Sequence, residues 1–407
     1  MFEGFGVELE YMIVDRDTLD VRPITDKVLE DVAGERVSDV EFDGIGWSNE
    51  LALHVIELKT NGPAESLTGL ADAFHENIAR VNELLNRHRA RLMPTGMHPW
   101  MDPLRELKLW PHDYKEVYAA YHRIFDCQGH GWANLQSVHL NLPFADDAEF
   151  GRLHAAIRLL LPILPALAAS SPIIEGQPTE WLDTRLEVYR TNAKRIPSII
   201  GRVIPEPVFT QTDYDEQIFQ PMYRDIAASD PEGLLQQEFL NSRGAIARFS
   251  RNAIEIRVLD VQECPNADVA ICAFIVEVLK LLTAERWTSL ADQQAWEVGP
   301  LESLFLASIR DGQKTPVNDP DYLALFGLDE TCSCTLRHLW RHLFHIVCEE
   351  SPTFREQFSE TIQHVITQGT LAARIVSALD GDSSPARLKD VYRELCDCLG
   401  ENRQFGC

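Results

Sequence analysis

FGVELEYMIV, residues 5–14, is the stretch of this 407-residue sequence that decides the fold class. Its polar and apolar residues alternate, as they do in a β-strand with one buried face. Side chains two positions apart on a strand point the same way, so Glu8 and Glu10 share one face and the apolar residues share the other. The stretch therefore predicts a strand that presents two carboxylates from a sheet with an apolar back.

Three more stretches show the same alternation, namely residues 50–60 (ELALHVIELKT), 137–143 (SVHLNLP) and 253–259 (AIEIRVL). A strand face turned to water explains any one of these patterns alone. Together they collect the ligands of a hard cation, because carboxylate oxygens suit Mg²⁺ or Mn²⁺ and one histidine is tolerated, especially by Mn²⁺. Mg²⁺ commonly completes its shell with water and phosphate oxygens, which predicts a nucleotide substrate. The polar positions are Glu50, Glu57, Lys59, His139, Asn141, Glu255 and Arg257.

Arginines cluster in a chain that is otherwise acidic. Residues 241–251 read NSRGAIARFSR, and the irregular middle section, residues 172–235, contributes further arginines. Guanidinium groups bind phosphate and carboxylate with two parallel hydrogen bonds. Surface ion pairs with the many acids are the alternative explanation for these residues, less so for Arg257, which lies beside Glu255 on a strand. The candidates for binding phosphate or a substrate carboxylate are Arg243, Arg248, Arg251, Arg257, Arg185 and Arg190.

The charge balance narrows the class of partner. Lys and Arg number 37 against 63 Asp and Glu, a formal net charge of −26. Phosphate backbones require a basic face, so we expect no nucleic-acid partner, although solubility alone explains the acidic balance equally well. The N-terminus lacks a basic region followed by an apolar one, and the most apolar window, residues 153–169, is interrupted by Arg158 and two prolines. We therefore predict a cytoplasmic protein that acts on small molecules and has no membrane segment.

The order of predicted elements favours an α+β fold. Strands separated by long connections suit a mostly antiparallel sheet with flanking helices better than a doubly wound one. Helices are predicted over residues 64–92 and 149–169, and almost continuously from Asp268 onward. This order of elements predicts an approximate boundary near residue 300, between residues 1–300 and a helical extension, residues 301–407. Neither a GxGxxG nor a GxxxxGK[ST] motif occurs, so no Rossmann or P-loop site is predicted.

Five blocks of the sequence resemble the glutamate–cysteine ligase family, and they resemble most the bacterial second type, which includes the carboxylate–amine ligases. They are GVELEYMIVD, NELALHVIELKTNGP, TGMHPW, SVHLN and NAIEIRVLDVQECP, spread in order over residues 4–270, with a weaker echo in QGTLAARIVSAL near the C-terminus. The resemblance implies a glutamine-synthetase-like catalytic domain in residues 1–300. Its curved antiparallel sheet would surround a site for several Mg²⁺ ions and for ATP as co-substrate. Whether the chain forms a homodimer is left open.

The resemblance also implies roles for the candidate residues. Arg257 would stabilise the transferring phosphoryl group or the acid, with Glu57 as the second catalytic residue. Arg185 lies near the family's arginine for the substrate carboxylate, and Arg190 and Asn141 are further substrate candidates. Nucleotide binding is assigned to Arg248, Arg251, Arg243 and Lys59. The metal-facing set is Glu8, Glu10, Glu50, Glu57, His139 and Glu255.

The expected chemistry has two steps. A substrate carboxylate, with the glutamate γ-carboxyl as the first candidate, attacks the γ-phosphate of ATP, and an amine then displaces phosphate from the acyl phosphate. The sequence departs from the family in the His139 strand, where Asn141 replaces a common second histidine, and in the middle section, so the amine is cysteine or another amine. The alternatives are a phosphotransferase of the guanidino-kinase type on the same scaffold and a catalytically inactive nucleotide-binding regulator.

Overall fold

An antiparallel sheet of eight strands forms the centre of the computed structural model, which describes residues 1–328 and 333–406. Two antiparallel pairs of two-residue strands, β7 with β8 and β11 with β12, lie outside it. The strands are β1 (Gly6–Asp15), β2 (Asp39–Glu41), β3 (Ile45–Asn49), β4 (Val55–Thr60), β5 (Ala90–Met93), β6 (Ser137–Pro143), β7 (Ile173–Ile174), β8 (Gln177–Pro178), β9 (Ala245–Arg248), β10 (Ala253–Asp260), β11 (Pro316–Val317) and β12 (Cys334–Thr335).

The order of the sheet is β2-β3-β4-β1-β6-β10-β9, and β5 pairs with the second half of β1. Glu8 lies opposite Lys59 on one neighbour and His139 on the other, and Glu10 lies opposite Glu57. Residues directly opposite in a sheet point to the same face. The register therefore gathers the polar residues of four strands on one face, and the predicted α+β fold with a large antiparallel sheet is confirmed.

The strand predictions differ from the structure in two ways. The predicted strand at residues 50–60 covers only Val55–Thr60, because Ala52 forms just an isolated bridge with Leu109. Four strands of the eight-stranded sheet were not predicted, namely β2, β3, β5 and β9, and neither were the four two-residue strands outside it. The predicted helix over residues 64–92 ends at Arg87, and the chain then turns into β5 to pair with β1, so tertiary pairing overrides local helical periodicity.

Helices cover the apolar face of the sheet, and loops and turns connect them. The long helix α11 packs against α2 and α6 and also against the C-terminal helices α15, α16 and α17. The helices are α1 (Thr25–Ala33), α2 (Leu70–Arg87), α3 (Pro103–Glu106), α4 (Lys115–Phe125), α5 (His130–Ala133), α6 (Asp147–Leu160), α7 (Pro165–Ala168), α8 (Thr184–Tyr189), α9 (Gln211–Tyr214), α10 (Gln220–Ile226), α11 (Pro265–Thr283), α12 (Leu290–Gln294), α13 (Val298–Asp311), α14 (Pro320–Ala324), α15 (Leu336–Glu350), α16 (Pro352–Gln357), α17 (Ser359–Gln368), α18 (Leu371–Leu379) and α19 (Pro385–Glu401).

One hydrophobic cluster runs from the sheet through α11 into α15 and α17. The shared core does not test the predicted division into residues 1–300 and 301–407, which therefore stays a prediction. Within the described ranges, no helix has both the length and the apolar character needed to cross a bilayer.

A buried histidine on α6 should make the fold sensitive to acid. The His154 ring stacks on Phe150, and its Nδ1 lies 2.8 Å from the Val208 carbonyl oxygen. Burial, with the nearby charge of Arg158, lowers the pKa of His154 to about 3. An unfolded histidine has a pKa near 6.5, so protons bind the unfolded chain preferentially and stability falls as the pH drops below that value. Between pH 7.5 and 5 this one residue should cost about 2 kcal/mol.

Chemical denaturation across that pH range tests the expectation. His154→Asn keeps a donor for the Val208 carbonyl but removes the titrating ring, so its free energy of unfolding should fall about 2 kcal/mol less than that of the wild type. His338→Asn, at an exposed position on α15, is the matched control. Parallel pH profiles for the wild type and His154→Asn would contradict the assignment.

Candidate active site

Three adjoining cavities open on the polar face of the sheet. The central cavity, about 550 Å³, is lined by polar residues of β1, β4, β6 and β10. A second cavity of about 490 Å³, here the edge lobe, lies over β2 and β3. A third of about 200 Å³, here the aromatic lobe, has a wall of Tyr118, Tyr121, Trp132 and Tyr189. Glu50 lines all three, so they form one site around that carboxylate.

His139 is at the centre of the acidic face. Its Nδ1 lies 2.8 Å from Glu8 Oε2 and 3.9 Å from Glu255 Oε1, and its Nε2 lies 3.8 Å from Glu10 Oε1. Burial alone would lower the pKa of His139, but the hydrogen bond to Glu8 and the charge of Glu10 outweigh it and raise the pKa to about 9. Three carboxylates thus converge on one imidazole, which itself provides the balancing positive charge.

Two groups of side chains have atoms close enough to share a cation. Glu8, His139 and Glu255 form one, and Glu10, Glu57 and His139 form the other, with ligand atoms within 4.8 Å of one another in each. A neutral imidazole has a single lone pair, so His139 can ligate one ion at a time. The second ion would then depend on carboxylates alone.

Glu50 supplies a further carboxylate beside the group of Glu10, Glu57 and His139. Its side chain makes no hydrogen bond or ion pair with any residue that the structure describes. Burial raises its pKa well above the usual value, and the charges of Glu57 and Glu10 add to the shift. Carboxylates crowded in this way repel one another unless a cation or a proton lies between them. The donor set therefore fits oxygen-coordinated divalent ions such as Mg²⁺.

Neighbouring strands hold these carboxylates in place. The Ser137 backbone N–H and hydroxyl donate to Glu10 Oε2 at 2.7 and 3.0 Å, and Asn141 Nδ2 donates to Glu8 Oε1 at 3.2 Å. Gly6 lies opposite Asn141, where a Cβ atom would come within 2.9 Å of the Asn141 Cβ. Glycine at this position is therefore required by the close approach of the asparagine.

Cationic side chains border the carboxylates. Lys59 Nζ donates to Glu57 Oε1 at 2.8 Å, Arg248 Nη1 donates to Glu255 Oε2 at 2.9 Å, and Arg257 Nε lies 3.3 Å from Glu255 Oε1. Burial would lower the pKa of Arg257, but the surrounding Tyr189, Glu255 and other acidic groups raise it. Arg257 therefore stays charged, as required of a group that stabilises developing negative charge.

Arg251 is the cation of the site without a protein partner. It lines both the central cavity and the edge lobe, and within the described chain it makes no ion pair or side-chain hydrogen bond. A guanidinium in this state is available for phosphate or carboxylate. Its position where the two larger cavities meet fits the sequence assignment to a nucleotide.

Arg185 reaches the site but is already paired. It lines the aromatic lobe, forms a close, fully buried ion pair with Asp260, and donates from Nη2 to the Arg257 carbonyl at 3.3 Å. Asp260 also accepts hydrogen bonds from Ser170 and Ser171. The ion pair holds Arg185 against the backbone of Arg257. Because Asp260 already neutralises most of the positive charge of Arg185, little of that charge remains to attract a substrate carboxylate.

Two of the predicted site residues do not lie at the cavities. Arg243 is buried and donates to Glu206 from Nε at 2.6 Å and from Nη2 at 2.8 Å. Arg190 lies on the surface of the protein and pairs with Glu187. These placements do not support the assignment of Arg243 to the nucleotide or of Arg190 to the substrate, and both assignments stay predictions. The other predicted residues, including Glu8, Glu57, Lys59, Asn141 and Arg248, line the site.

Replacing Arg243 and Arg190 should show that Arg243 stabilises the fold and that Arg190 contributes little to stability. Arg243→Met should lower the free energy of unfolding by about 2 kcal/mol, because Glu206 and nearby carbonyls lose a buried donor. Arg190→Met should cost less than about 1 kcal/mol, as expected for an exposed pair. Chemical denaturation measures both, and ATP turnover per folded molecule should stay near wild type in each. A large loss of turnover with normal stability would return either residue to the site.

Some residues of the site were missed by sequence reasoning. Ser137 lies two positions before His139, so the alternation that identified His139 could have identified it. Asp260 ends β10 and pairs with a residue 75 positions away, for which the sequence carries no local signal. The aromatic lobe comes from α4, α5 and α8, whose apolar residues are indistinguishable from core residues before the fold is known.

Comparison with known proteins places the chain among the ATP-dependent carbon–nitrogen ligases. The model of Glutamate-cysteine ligase family 2 matches residues 4–312, and the chain belongs to this family. An uncharacterised protein of Archaeoglobus fulgidus is 38% identical over 275 residues, which cover 68% of this chain and 73% of that one. The chain spans about half the length of several curated relatives that carry a glutamate–cysteine ligase name.

Solved structures share the fold at low identity. The glutamate–cysteine ligase of Francisella tularensis, solved with AMP, superimposes with a TM-score of 0.62 at 12% identity, covering 99% of this chain and 89% of that one. The ligase PafA, solved with the ubiquitin-like protein Pup, gives a TM-score of 0.50 at 11% identity, with coverage of 96% and 72%. These similarities establish the sheet architecture that presents the site.

Proposed function

We propose that the protein joins a small carboxylic acid, with the γ-carboxyl of glutamate as the first candidate, to an amine through an acyl phosphate formed with ATP. The observation that carries the proposal is the convergence of five carboxylates and His139 with Arg257 on one sheet face of a glutamate–cysteine ligase family member. The site supplies charge stabilisation and positioning, which are what phosphoryl transfer requires of a protein. The cytoplasmic location stays a prediction of the sequence.

Divalent ions fit the donor set of this site. The ligands would be Glu8 and Glu255 in one group and Glu10 and Glu57 in the other, with His139 common to both groups and Glu50 beside the second. Mg²⁺ or Mn²⁺, when bound, would neutralise phosphate charge and orient the nucleotide. The unpartnered Glu50 carboxylate supports this fit, because repulsion from Glu57 and Glu10 disfavours its charged form without a cation.

In the first step a carboxylate oxygen of the acid attacks the γ-phosphorus of ATP, and the bond to the β-phosphate oxygen breaks to release ADP. Negative charge on the transferring oxygens is met by Arg257, whose guanidinium lies between the central cavity and the aromatic lobe. Arg251 and Arg248, which also line the central cavity, would bind the remaining phosphates. The residues thus orient both reactants and keep the phosphoryl group charge-balanced.

In the second step the amine nitrogen attacks the acyl carbon, and the carbon–oxygen bond to phosphate breaks. The nitrogen loses its proton to solvent or to the leaving phosphate, so the net products are amide, ADP, phosphate and one proton. No covalent intermediate on the protein is needed. The aromatic walls beside Arg257 would limit the access of water to the acyl phosphate.

The test is ADP and phosphate release with Mg²⁺–ATP and amino acids, supplied singly and in pairs with amines, followed by mass measurement of the product. Hydroxylamine, a small nucleophile, should trap the acyl phosphate as a hydroxamate whatever the natural amine is. A product one water lighter than acid plus amine would support the proposal. A phosphorylated guanidino product would favour the phosphotransferase, and Mg²⁺–ATP binding without turnover of any acid would favour the inactive regulator.

A further inference from the structure

The aromatic lobe is the part of the site best shaped for a small organic group. At about 200 Å³ it is smaller than the pockets that hold drug-sized ligands, so it is too small for a nucleotide. It meets the central cavity at His139, Glu50 and Arg257, the place where the acyl group would form. A group bound in this lobe would therefore face the reacting carbon.

The walls of the lobe are fixed aromatic rings. Trp132 donates from Nε1 to the Asn192 carbonyl, and the Tyr189 hydroxyl donates to the Ser242 carbonyl, so the polar ends of both rings are occupied. Tyr121 packs against Trp132 with ring centroids 5.3 Å apart. The Tyr121 hydroxyl makes no hydrogen bond to the described part of the protein, so it is available to a ligand. Aromatic faces of this kind attract ammonium groups as well as apolar ones.

The charges of the lobe favour a cation over an anion. Arg185 is paired with Asp260, and Arg257, which lies 3.3 Å from Glu255, would be occupied by the transferring phosphoryl group. Asp260 is not one of the metal-facing carboxylates, so its pair with Arg185 would persist when divalent ions bind. Glu10 and Glu50 also line the lobe. A carboxylate of the acceptor would have to compete with Asp260 for Arg185 and with the phosphoryl group for Arg257, and burial of a charge without a partner is strongly unfavourable.

We infer that the amine acceptor is a primary amine with a short aryl or alkyl body and no carboxylate, bound in the aromatic lobe. The inference rests on the proposed ligase function and specifies its second substrate. It separates this protein from a ligase that uses a free amino acid as acceptor. The same pairing of Arg185 and Asp260 argues that Arg185 positions Arg257 rather than binding a substrate carboxylate.

Matched acceptor pairs test the inference on the wild-type protein. Cysteamine is compared with cysteine, and tyramine with tyrosine, at saturating Mg²⁺–ATP and the acid that supports hydroxamate formation. The kcat/KM of each amine, measured by ADP release and product mass, should exceed that of its amino acid at least tenfold, because Asp260 and the phosphoryl group occupy the guanidinium groups that could bind the extra carboxylate. Equal or better use of the amino acids, or no use of either amine while hydroxamate forms, would overturn the inference.

A variant checks that the lobe is where the amine binds. Tyr121→Phe should raise the KM for the preferred amine roughly three- to tenfold with little change in kcat, as expected for one lost hydrogen bond. Tyr223→Phe, which removes a hydroxyl from a tyrosine stacked on Phe219 away from the site, is the matched control. An unchanged KM in Tyr121→Phe would remove that hydroxyl from the subsite. Absence of hydroxamate with every acid would instead overturn the proposed ligase function itself.

Discussion

Glu10→Gln is expected to lower turnover at least 10²-fold while the protein stays folded. The amide keeps an oxygen that can accept from the Ser137 backbone N–H, which now donates to Glu10 Oε2 at 2.7 Å, so the local structure should survive. It removes one negative charge from the group formed by Glu10, Glu57 and His139. Loss of an anionic oxygen ligand weakens a hard-cation site directly. Both kcat and the apparent affinity for Mg²⁺ should therefore fall.

The measurement is a Mg²⁺ titration of ADP release for the wild type and the variant, with circular dichroism and thermal unfolding as the check on folding. We expect kcat at saturating Mg²⁺ to fall at least 10²-fold and the half-saturating Mg²⁺ concentration to rise at least tenfold. Glu116→Gln, at an exposed position on α4, is the matched control. Turnover near the wild-type value at ordinary Mg²⁺ would remove Glu10 from the metal-facing set.

Much of this site could be predicted from the sequence, because every second side chain of a strand points to the same face of the sheet. In β1, β6 and β10, alternation places Glu8 with Glu10, His139 with Asn141 and Glu255 with Arg257, and antiparallel pairing then brings these faces together. A strand with one buried face cannot shift its register by one residue without burying its charges. Local sequence and tertiary structure therefore specify the same arrangement.

The features that the sequence could not predict depend on pairing with residues that are distant along the chain. Arg243 and Arg248 are five residues apart, yet Arg243 pairs with Glu206 in the interior and Arg248 with Glu255 at the cavity. The short strand β3 was not predicted, because a run of five residues centred on Trp47 carries too little periodicity to distinguish it from a loop. Its burial comes from pairing with β4, which is a property of the whole sheet.

Arg257→Ala is expected to lower kcat by roughly 10²-fold or more while leaving Mg²⁺ binding largely intact, the size of effect seen when one preorganised group that stabilises charge is removed. The Arg257 guanidinium lies against Glu255 and between the central cavity and the aromatic lobe, where the phosphoryl group would be transferred. Glu255 keeps Arg248 Nη1 at 2.9 Å as a partner, so its carboxylate is not left unpaired by the change. The loss should therefore come from the transition state rather than from the fold.

Variants of Arg257 distinguish stabilisation of the transition-state charge from binding of ATP in the ground state. Arg257→Lys retains the charge but not the planar group that reaches two oxygens, so its kcat should lie between those of the wild type and Arg257→Ala. Arg190→Ala, which removes a surface arginine paired with Glu187, is the matched control and should turn over normally. Because Arg257 would act on charge that develops only during transfer, kcat should fall with little change in the KM for ATP. A raised KM with normal kcat would instead make Arg257 a ground-state binding residue, since interactions made equally in both states do not change the rate of the bound complex.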